Sequence, residues 1–382
     1  MVFDGLEIDM LSLGDADCIL VTQWTTAYGP FRVLIDGGSG TDFKTVREFL
    51  RTRNVTVLYA VVCTHLHNDH ASGLIKLVQD KSIGIATAWM HDVRKHVSGE
   101  ALRRASAGNS SQADSVRQVV ETTKELASAF AGRQLIPKEP FAGESISYAP
   151  NLSVLGPTQS FYKSALGEFT RVDVPTLPLL PSFSAARSIL GGNPFGLPNL
   201  APKAPISLPP FPPSPRAMTL SDLVAGALSK SSVKENPNTQ PFNNTSAIIG
   251  GLFAGNKLLF TSDAGADALE LIPPDWKDLL WMQMPHHGSD GNLSQKNIER
   301  FCPKIAYVSA CGDTSHPDKA IVNGLIKVGA QVFSTHSLSP GHLWYWLGAV
   351  PSRAGYGPAI PLKGTAVPVM TLDWLSRMHN VR

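Results

Sequence analysis

The alternation of apolar and polar residues predicts three strands at the start of the chain, over residues 6–13, 18–24 and 31–35. Residues 42–53 carry apolar side chains on one face of a helix and basic ones elsewhere, which predicts an amphipathic helix. The short, β-branched run at 57–63 predicts a buried strand. The chain therefore begins as a mixture of strands and helices.

The same mixture continues through most of the chain. Helices are predicted over 72–79 and 111–130, and the pattern of the second is the clearest helical one in the chain. A strand is predicted at 83–90, short strands over 141–155, a strand pair at 243–251 and 257–263, and further short strands at 305–309 and 332–334. Such an order of strands and helices is typical of an α/β sandwich. The tail beyond Gly341 gives no motif.

Three histidines and one aspartate, His65, His67, Asp69 and His70, directly follow the apolar run 57–63. In an extended chain His65 and His67 point to the same side, because successive side chains alternate. Asp69 and His70 fall where the chain turns, so they can approach the same point from another direction. Imidazole nitrogens and carboxylate oxygens are ligands of zinc, manganese and iron. The cluster indicates a metal site, and the alternative is a chance group of polar loop residues.

Composition narrows the class of protein. The chain is 43% hydrophobic and 17% charged, which favours a globular protein, and its net charge of +2 gives no strong general attraction to nucleic acid. Four widely spaced cysteines favour reduced thiols in a cytoplasmic protein over a disulfide framework. The acidic N-terminus is unlike a signal peptide, and no apolar run has the length that a bilayer requires. We therefore expect a cytoplasmic protein with no membrane partner.

The composition changes at residues 172–215, where 12 of the 29 prolines lie. Such a segment forms neither a regular helix nor a central strand, yet it is too apolar for a solvated linker. It is interpreted either as a lid over the metal site or as an exposed tether that docks a partner or is cut by a protease. We expect a single domain over 1–382 with this insertion at 165–235, and a short helix at 217–228.

Further motifs resemble the metallo-β-lactamase fold in their order along the chain. IDGG at 35–38 precedes His65-x-His67-x-Asp69-His70, and TSD at 261–263 and PHHGS at 285–289 follow it. Four segments resemble motifs in the hydrolase domain of ComEC-type DNA-uptake proteins. They are GDADCIL at 14–20, NNTS at 243–246, HHGS at 286–289 and SACG at 309–312. The resemblance covers residues 5–160 and 236–345.

This resemblance implies an αββα sandwich that binds two divalent ions, zinc or manganese. The implied metal ligands are His65, His67, Asp69, His70, the bridging Asp263, and one of His286 and His287. His286 is the expected one of that pair, because it comes first after its strand.

Other residues would support the chemistry. Asp36 would brace the metal histidines from behind, although it could instead cap its own turn, and Asp17 matches an acidic position beside the site. Catalytic roles are expected for Asp69 at the metal and for Ser289 and His316, which would hold a phosphate or protonate the leaving oxygen. For His287 and His316 a structural imidazole is the alternative.

The chain departs from the family pattern at one ligand. Family members carry another metal histidine between the first motif and the bridging aspartate, but here that interval holds only His91 and His96, which come too early. Asn243 or Asn244 takes the position, and Asn244 is the expected ligand. An amide oxygen is a weak, hard ligand, which shifts the preference at one site from zinc toward manganese or magnesium and leaves the filling of both sites open.

The function expected from these features is metal-dependent hydrolysis of the phosphodiesters of nucleic acid, as by a DNase, with a hydroxide held by the metals as nucleophile. One alternative is a hydrolase of small esters, lactones, thioesters or cyclic nucleotides. Another is an inactive member of the fold that acts as a binding module. The expected partners are a nucleic acid substrate and a regulatory partner or protease that acts on the insertion.

Overall fold

The computed structural model describes residues 4–149, 151–171, 232–312, 316–335, 342–353 and 361–362. The strands are β1 Gly5–Met10, β2 Ile19–Thr25, β3 Gly29–Ile35, β4 Val57–Leu58, β5 Ala60–Val62, β6 Gly84–Ile85, β7 Ala88–Trp89, β8 Leu152–Gly156, β9 Ile248–Phe253, β10 Asn256–Phe260, β11 Trp281–Gln283, β12 Ile305–Val308, β13 Gln331–Ser334 and β14 Leu343–Gly348. The helices are α1 Phe43–Thr52, α2 Asn68–Gln79, α3 Gly99–Ala105, α4 Ser111–Ala131, α5 Gln159–Phe169, α6 Ala266–Glu270, α7 Gln295–Phe301 and α8 Lys319–Lys327.

Two six-stranded sheets form the centre of the fold. The first has the order β14-β1-β2-β3-β5-β7 and the second has the order β13-β12-β11-β10-β9-β8. Apolar side chains of both sheets, among them Ile8, Val62, Ile249 and Trp281, belong to one buried cluster, so the sheets pack face to face.

Helices cover the outer faces of both sheets. Val46 of α1, Leu74 of α2 and Leu126 of α4 belong to a buried cluster with residues of the first sheet. Leu269 of α6, Ile298 of α7 and Leu325 of α8 do the same on the second sheet. The predicted sandwich of two sheets between helix layers is therefore confirmed.

Segments with a strong hydrophobic periodicity form the predicted helices and strands. Short elements, and those that depend on contacts distant in sequence, differ from the prediction. The strand expected at 83–90 is divided into β6 and β7. The helix expected from residue 72 already begins at Asn68, so Asp69 and His70 lie in its first turn rather than in a turn before it. The helices α3, α5, α6, α7 and α8 and the edge strand β14 were not predicted from the sequence.

The expected insertion falls largely outside the described residues. Residues 165–169 end α5, and the proline-rich part together with the helix expected at 217–228 lies in the segment 172–231, which is not described. In the part of the chain that is described, no helix combines the length and the apolar character needed to span a bilayer.

Candidate metal centre

The candidate site lies where the carboxyl ends of strands from both sheets meet. His65 and His67 follow β5, and Asp263 follows β10. His286 and His287 follow β11, which pairs in parallel with β10. Ligand sites in α/β folds commonly lie beyond the carboxyl ends of parallel strands, since loops from several strands converge there.

Close backbone packing fixes the start of α2 beside the loop after β3. The N–H of Gly37 donates to the carbonyl of His70 at 2.8 Å. A Cβ atom on Gly73 would lie 2.0 Å from the carbonyl oxygen of Gly37, so only glycine permits this approach. The packing holds the first turn of α2, with Asp69 and His70, next to Asp36.

Two groups of ligand atoms share Asp263. Asp69, His70, Asp263 and His287 each place one such atom within 4.8 Å of the others, and His65, His67 and Asp263 form a second group of the same kind. Asp263 Oδ1 lies 3.3 Å from His70 Nε2, whereas Asp263 Oδ2 lies 3.5 Å from His65 Nε2. One carboxylate thus presents one oxygen to each group.

Hydrogen bonds orient the histidines of the Asp69 group. His70 Nδ1 lies 2.9 Å from Asp36 Oδ2, and His287 Nδ1 lies 2.9 Å from the carbonyl oxygen of Ser309. Because both partners are acceptors, each Nδ1 carries the hydrogen and each Nε2 can direct a lone pair into the group, as in metal-bound histidines.

Asp36 and Asp17 lie behind these histidines. Asp36 also accepts hydrogen bonds from the backbone N–H and the hydroxyl of Thr64, at 2.8 and 2.6 Å. Asp17 accepts from the hydroxyl of Ser309 and, at 2.8 Å, from Gln283 Nε2. Burial raises the pKa of Asp17, although His287 and His70 act in the opposite direction. Both carboxylates are therefore placed to position ligands rather than to meet a substrate.

In the absence of a metal ion, His70 and His287 are expected to carry an extra proton each. Burial lowers the pKa of His70, but the charges of Asp263 and Asp69 outweigh it and raise that pKa well above the ordinary value. Burial also lowers the pKa of His287, yet its bond to Asp69 and the charge of Asp17 raise it to about 9. Without a cation, protons on these imidazoles balance the carboxylates, and a metal ion would displace them.

The donor set fits divalent ions. Both carboxylate oxygens of Asp263 and the Nε2 of His70 are buried and have no hydrogen-bond partner among the described residues. Buried polar groups are normally satisfied, so such exceptions require an explanation. Imidazoles and carboxylates around one shared carboxylate are what zinc or manganese accepts, and the unsatisfied atoms are the ones that would bind it.

The structure separates the two adjacent histidines. His287 belongs to the Asp69 group, with its Nε2 3.3 Å from Asp69 Oδ2. His286, the expected ligand of the pair, is partly exposed and lies 3.7 Å from Asp263 Oδ2. Both residues have positive φ angles, 48° and 55°, which are uncommon for residues other than glycine.

Other predicted site residues lie at various distances from the two groups. Asn244 Oδ1 faces Gly265, where an added Cβ atom would come within 2.3 Å of it. Ser289 Oγ accepts from the N–H of Gly291 at 3.2 Å, within its own loop. The His316 ring is half-buried, with its centre 5.8 Å from that of His286, and burial lowers its pKa. The ligand and catalytic roles of these three residues stay predictions.

Several supporting residues were missed in the sequence. Thr64, Gln283 and Asn292 contact Asp36, Asp17 and His286, respectively. Thr64 directly precedes the histidine motif, which was an available signal. Gln283 reads as an ordinary strand residue, and Asn292 as an ordinary loop residue.

Comparison with known proteins supports the fold expected from these motifs. Residues 14–140 match the sequence profile of the Metallo-beta-lactamase superfamily. The finer resemblance to DNA-uptake hydrolases stays a prediction. The sequence matches none of the curated proteins.

Two solved structures are similar over parts of their length. A Thermotoga maritima protein assigned to the metallo-β-lactamases is 15% identical, with a TM-score of 0.23, and the match covers 36% of this chain and 54% of that one. The long form of RNase Z from yeast is 10% identical, with a TM-score of 0.34, and the match covers 80% of this chain and 37% of that one. The chain thus spans about half of the first protein and less of the second.

Proposed function

We propose that this protein is a metal-dependent hydrolase that cleaves the phosphodiesters of nucleic acid. The observation that carries the proposal is the position of Asp263, whose two oxygens face the His65 and the His70 groups, 3.5 and 3.3 Å from the nearest imidazole nitrogens. A carboxylate shared in this way suits a pair of divalent ions. The choice of nucleic acid as substrate rests on the resemblance of the motifs at 14–20, 243–246 and 286–289 to those of DNA-uptake hydrolases.

The ligand residues would be divided between two metal ions. His65, His67 and Asp263 would hold one ion, and Asp69, His70, Asp263 and His287 would hold the other. Bound ions of this kind lower the pKa of water and stabilise charge on the phosphoryl group under attack. Asp36 and Ser309 keep the Nε2 atoms of His70 and His287 turned inward through the bonds described above.

The half-buried His316 is placed at the edge of the site. Burial lowers the pKa of His316 from its ordinary value of 6.5, which favours the neutral imidazole at pH 7. A neutral imidazole can accept a hydrogen bond from substrate or relay a proton, but it is a poor permanent acid at this pH. We therefore assign its part in the reaction to contact with the substrate and not to holding a charge.

The test combines metal content with activity on three substrates. The protein is loaded with Zn²⁺ or Mn²⁺, dialysed and analysed by mass spectrometry. It is then assayed on plasmid DNA, on bis(p-nitrophenyl) phosphate and on p-nitrophenyl acetate. We expect two ions per chain and cleavage of both phosphodiesters, with little turnover of the acetate.

A matched pair of variants controls the test. Asp69→Ala removes the acid from the first turn of α2, whereas Asp114→Ala removes an exposed acid from the first turn of α4. We expect Asp69→Ala to abolish cleavage and Asp114→Ala to leave it unchanged. Turnover of the acetate alone would redirect the proposal to small esters, and a wild-type protein that binds no metal would refute it.

A further inference from the structure

The adjacent residues His286 and His287 direct their imidazoles to different groups of ligand atoms. His287 Nε2 lies 3.3 Å from Asp69 Oδ2. His286 Nε2 instead lies 3.7 Å from Asp263 Oδ2, the same oxygen that lies 3.5 Å from His65 Nε2. One imidazole thus faces the Asp69 side of Asp263, and its neighbour faces the His65 side.

Asn292 fixes the orientation of His286. This side chain is buried, and its Nδ2 donates to the carbonyl oxygen of Asp263 at 2.7 Å. Its Oδ1 is therefore the atom that lies 2.9 Å from His286 Nδ1, and since Oδ1 can only accept, Nδ1 must carry the hydrogen. The lone pair of His286 is then on Nε2, which faces Asp263. The Asn292 amide thus connects the backbone of Asp263 to the imidazole of His286.

The backbone of this turn is held in a strained conformation. His286 and His287 both lie in the left-handed region, which is unfavourable for an L-residue other than glycine. The His286 N–H donates to the carbonyl oxygen of Ser262 at 3.0 Å, which ties the turn to the loop that carries Asp263. Strain of this kind persists where surrounding contacts impose it, and it is concentrated at ligand sites.

Of the histidines that come too early in the chain, His91 stacks on Tyr162 with ring centres 4.3 Å apart. His96 pairs with Glu139 at 2.8 Å. Asn244 Oδ1 lies beside Gly265, buried and without a hydrogen-bond partner among the described residues, so it is the rival to His286 that the test below must separate. The amide Nδ2 of Asn243 lies 3.3 Å from His286 Nδ1, but both atoms carry hydrogens, so Asn292 and not Asn243 accepts from this ring.

We propose that His286 is a ligand of the first metal ion, together with His65, His67 and Asp263, and that Asn292 is the positioning residue that turns it there. This inference rests on the proposed two-metal function. His286 would replace the histidine that the family pattern places before Asp263, so the pair His286–His287 would serve both ions. Three imidazoles and one carboxylate form a set that favours zinc over manganese or magnesium at this position.

The test measures metal binding rather than activity. Wild type, His286→Ala, His287→Ala and Asn292→Ala are titrated with Zn²⁺ by calorimetry and with Co²⁺ by visible absorption, which reports the ligands around each ion. We expect His286→Ala to lose at least about 100-fold in affinity for one ion and to retain the other. His287→Ala should weaken the other ion, with a different change in the Co²⁺ spectrum.

Asn292→Ala should weaken the same ion as His286→Ala by about 10–100-fold and should alter the same Co²⁺ band. A merely structural role would instead lower the thermal midpoint without changing that band. His342→Ala, in a histidine whose Nδ1 accepts from the backbone of Ser12 at 2.9 Å, serves as the control and should leave both ions unchanged.

The outcomes separate this inference from the proposed function. If His286→Ala binds two ions with wild-type affinity and spectrum, the inference is wrong while the two-metal hydrolase stands. If the wild type binds no ion, the proposed function fails first. If both single-histidine variants lose the same ion, the division of the pair between two sites is refuted.

Discussion

Two clusters of buried charged groups in this molecule are built on opposite principles. On β1, Glu7 and Asp9 are fully buried, and Arg353 pairs with both, lying 2.9 Å from Glu7 Oε1. Trp24 Nε1 and Arg53 complete the environment of Glu7 at 2.7 and 3.3 Å. In the metal centre Asp263 is equally buried, but the groups that face its oxygens are imidazoles, those of His70, His65 and His286, at 3.3, 3.5 and 3.7 Å.

The difference separates a structural cluster from a functional one. The β1 carboxylates pair with guanidinium groups, which stay charged in proteins, and these pairs connect Arg353 beyond β14 and Arg53 after α1 to β1. The carboxylates of the metal centre face imidazoles, which exchange their protons readily for a metal ion. Burial of charge alone therefore does not mark a functional site, whereas burial beside partners that exchange their protons does.

The largest expected effect comes from Asp263→Asn, because an amide can neither bridge two ions nor balance their charge. We expect metal content to fall below one ion per chain and phosphodiester cleavage to fall about ten-thousand-fold, in line with several kcal/mol of lost charge stabilisation. Asp267→Asn, in the exposed first turn of α6, is the matched control and should bind and cleave normally. Normal metal content in Asp263→Asn would contradict the shared role of this carboxylate.

Arg353→Ala should have the next largest effect, and it should act on stability instead of metal binding. Removing the guanidinium leaves Glu7 and Asp9 buried without their shared cation, which costs about 3–5 kcal/mol of unfolding free energy. Urea denaturation measures this loss. Arg104→Ala, which breaks an exposed pair with Glu100, should change it by less than about 0.5 kcal/mol. Loss of metal from folded Arg353→Ala protein would show that the clusters are not independent.

The free energy of unfolding of the metal-free protein should depend on pH through the protonation of His287. Its folded-state pKa of about 9 lies above the ordinary value of 6.5, so its protonation stabilises the fold fully below pH 6.5 and this contribution is lost as the pH rises through 9. The difference corresponds to about 3 kcal/mol. We expect urea stability to fall over that range and to fall less in His287→Gln. A profile that is the same in both proteins would remove His287 as the cause.

Local sequence signals predicted most of the sandwich because they are properties of single elements. The strands β1 to β3 and the helix α4 alternate or repeat over enough residues to be recognised. The edge strand β14 has no such signal, because it is defined by pairing with β1 more than 330 residues away in sequence. In α5, buried Tyr162, Leu166 and Phe169 follow helical spacing behind the N-cap Thr158, so a usable signal was overlooked.

The same distinction applies to the metal centre. His65, His67, Asp69 and His70 lie within six residues, so the sequence brings them together, and the family motifs add Asp263. The sequence does not show that the imidazoles of His286 and His287 point to different groups of ligand atoms, because that depends on two left-handed backbone conformations.

The pairing of buried Asp9 with Arg353 in the β1 cluster could not be predicted either, since the two residues lie 344 positions apart in sequence.

Asp36→Asn should have the smallest effect, and it tests the boundary between the two kinds of cluster. Like the β1 acids, Asp36 has partners that do not exchange with a metal, because it accepts from the N–H and hydroxyl of Thr64 at 2.8 and 2.6 Å, yet its Oδ2 also lies 2.9 Å from His70 Nδ1. An amide of the same shape keeps most of the packing but not the charge that makes His70 a strong ligand. We expect affinity for the ion at His70 to fall about 10–100-fold, with a much smaller effect on the other ion. Calorimetric titration with Zn²⁺ measures both affinities. If instead stability falls by several kcal/mol as in Arg353→Ala while metal affinity is unchanged, Asp36 belongs to the structural class, and an acid beside a metal histidine need not serve the metal.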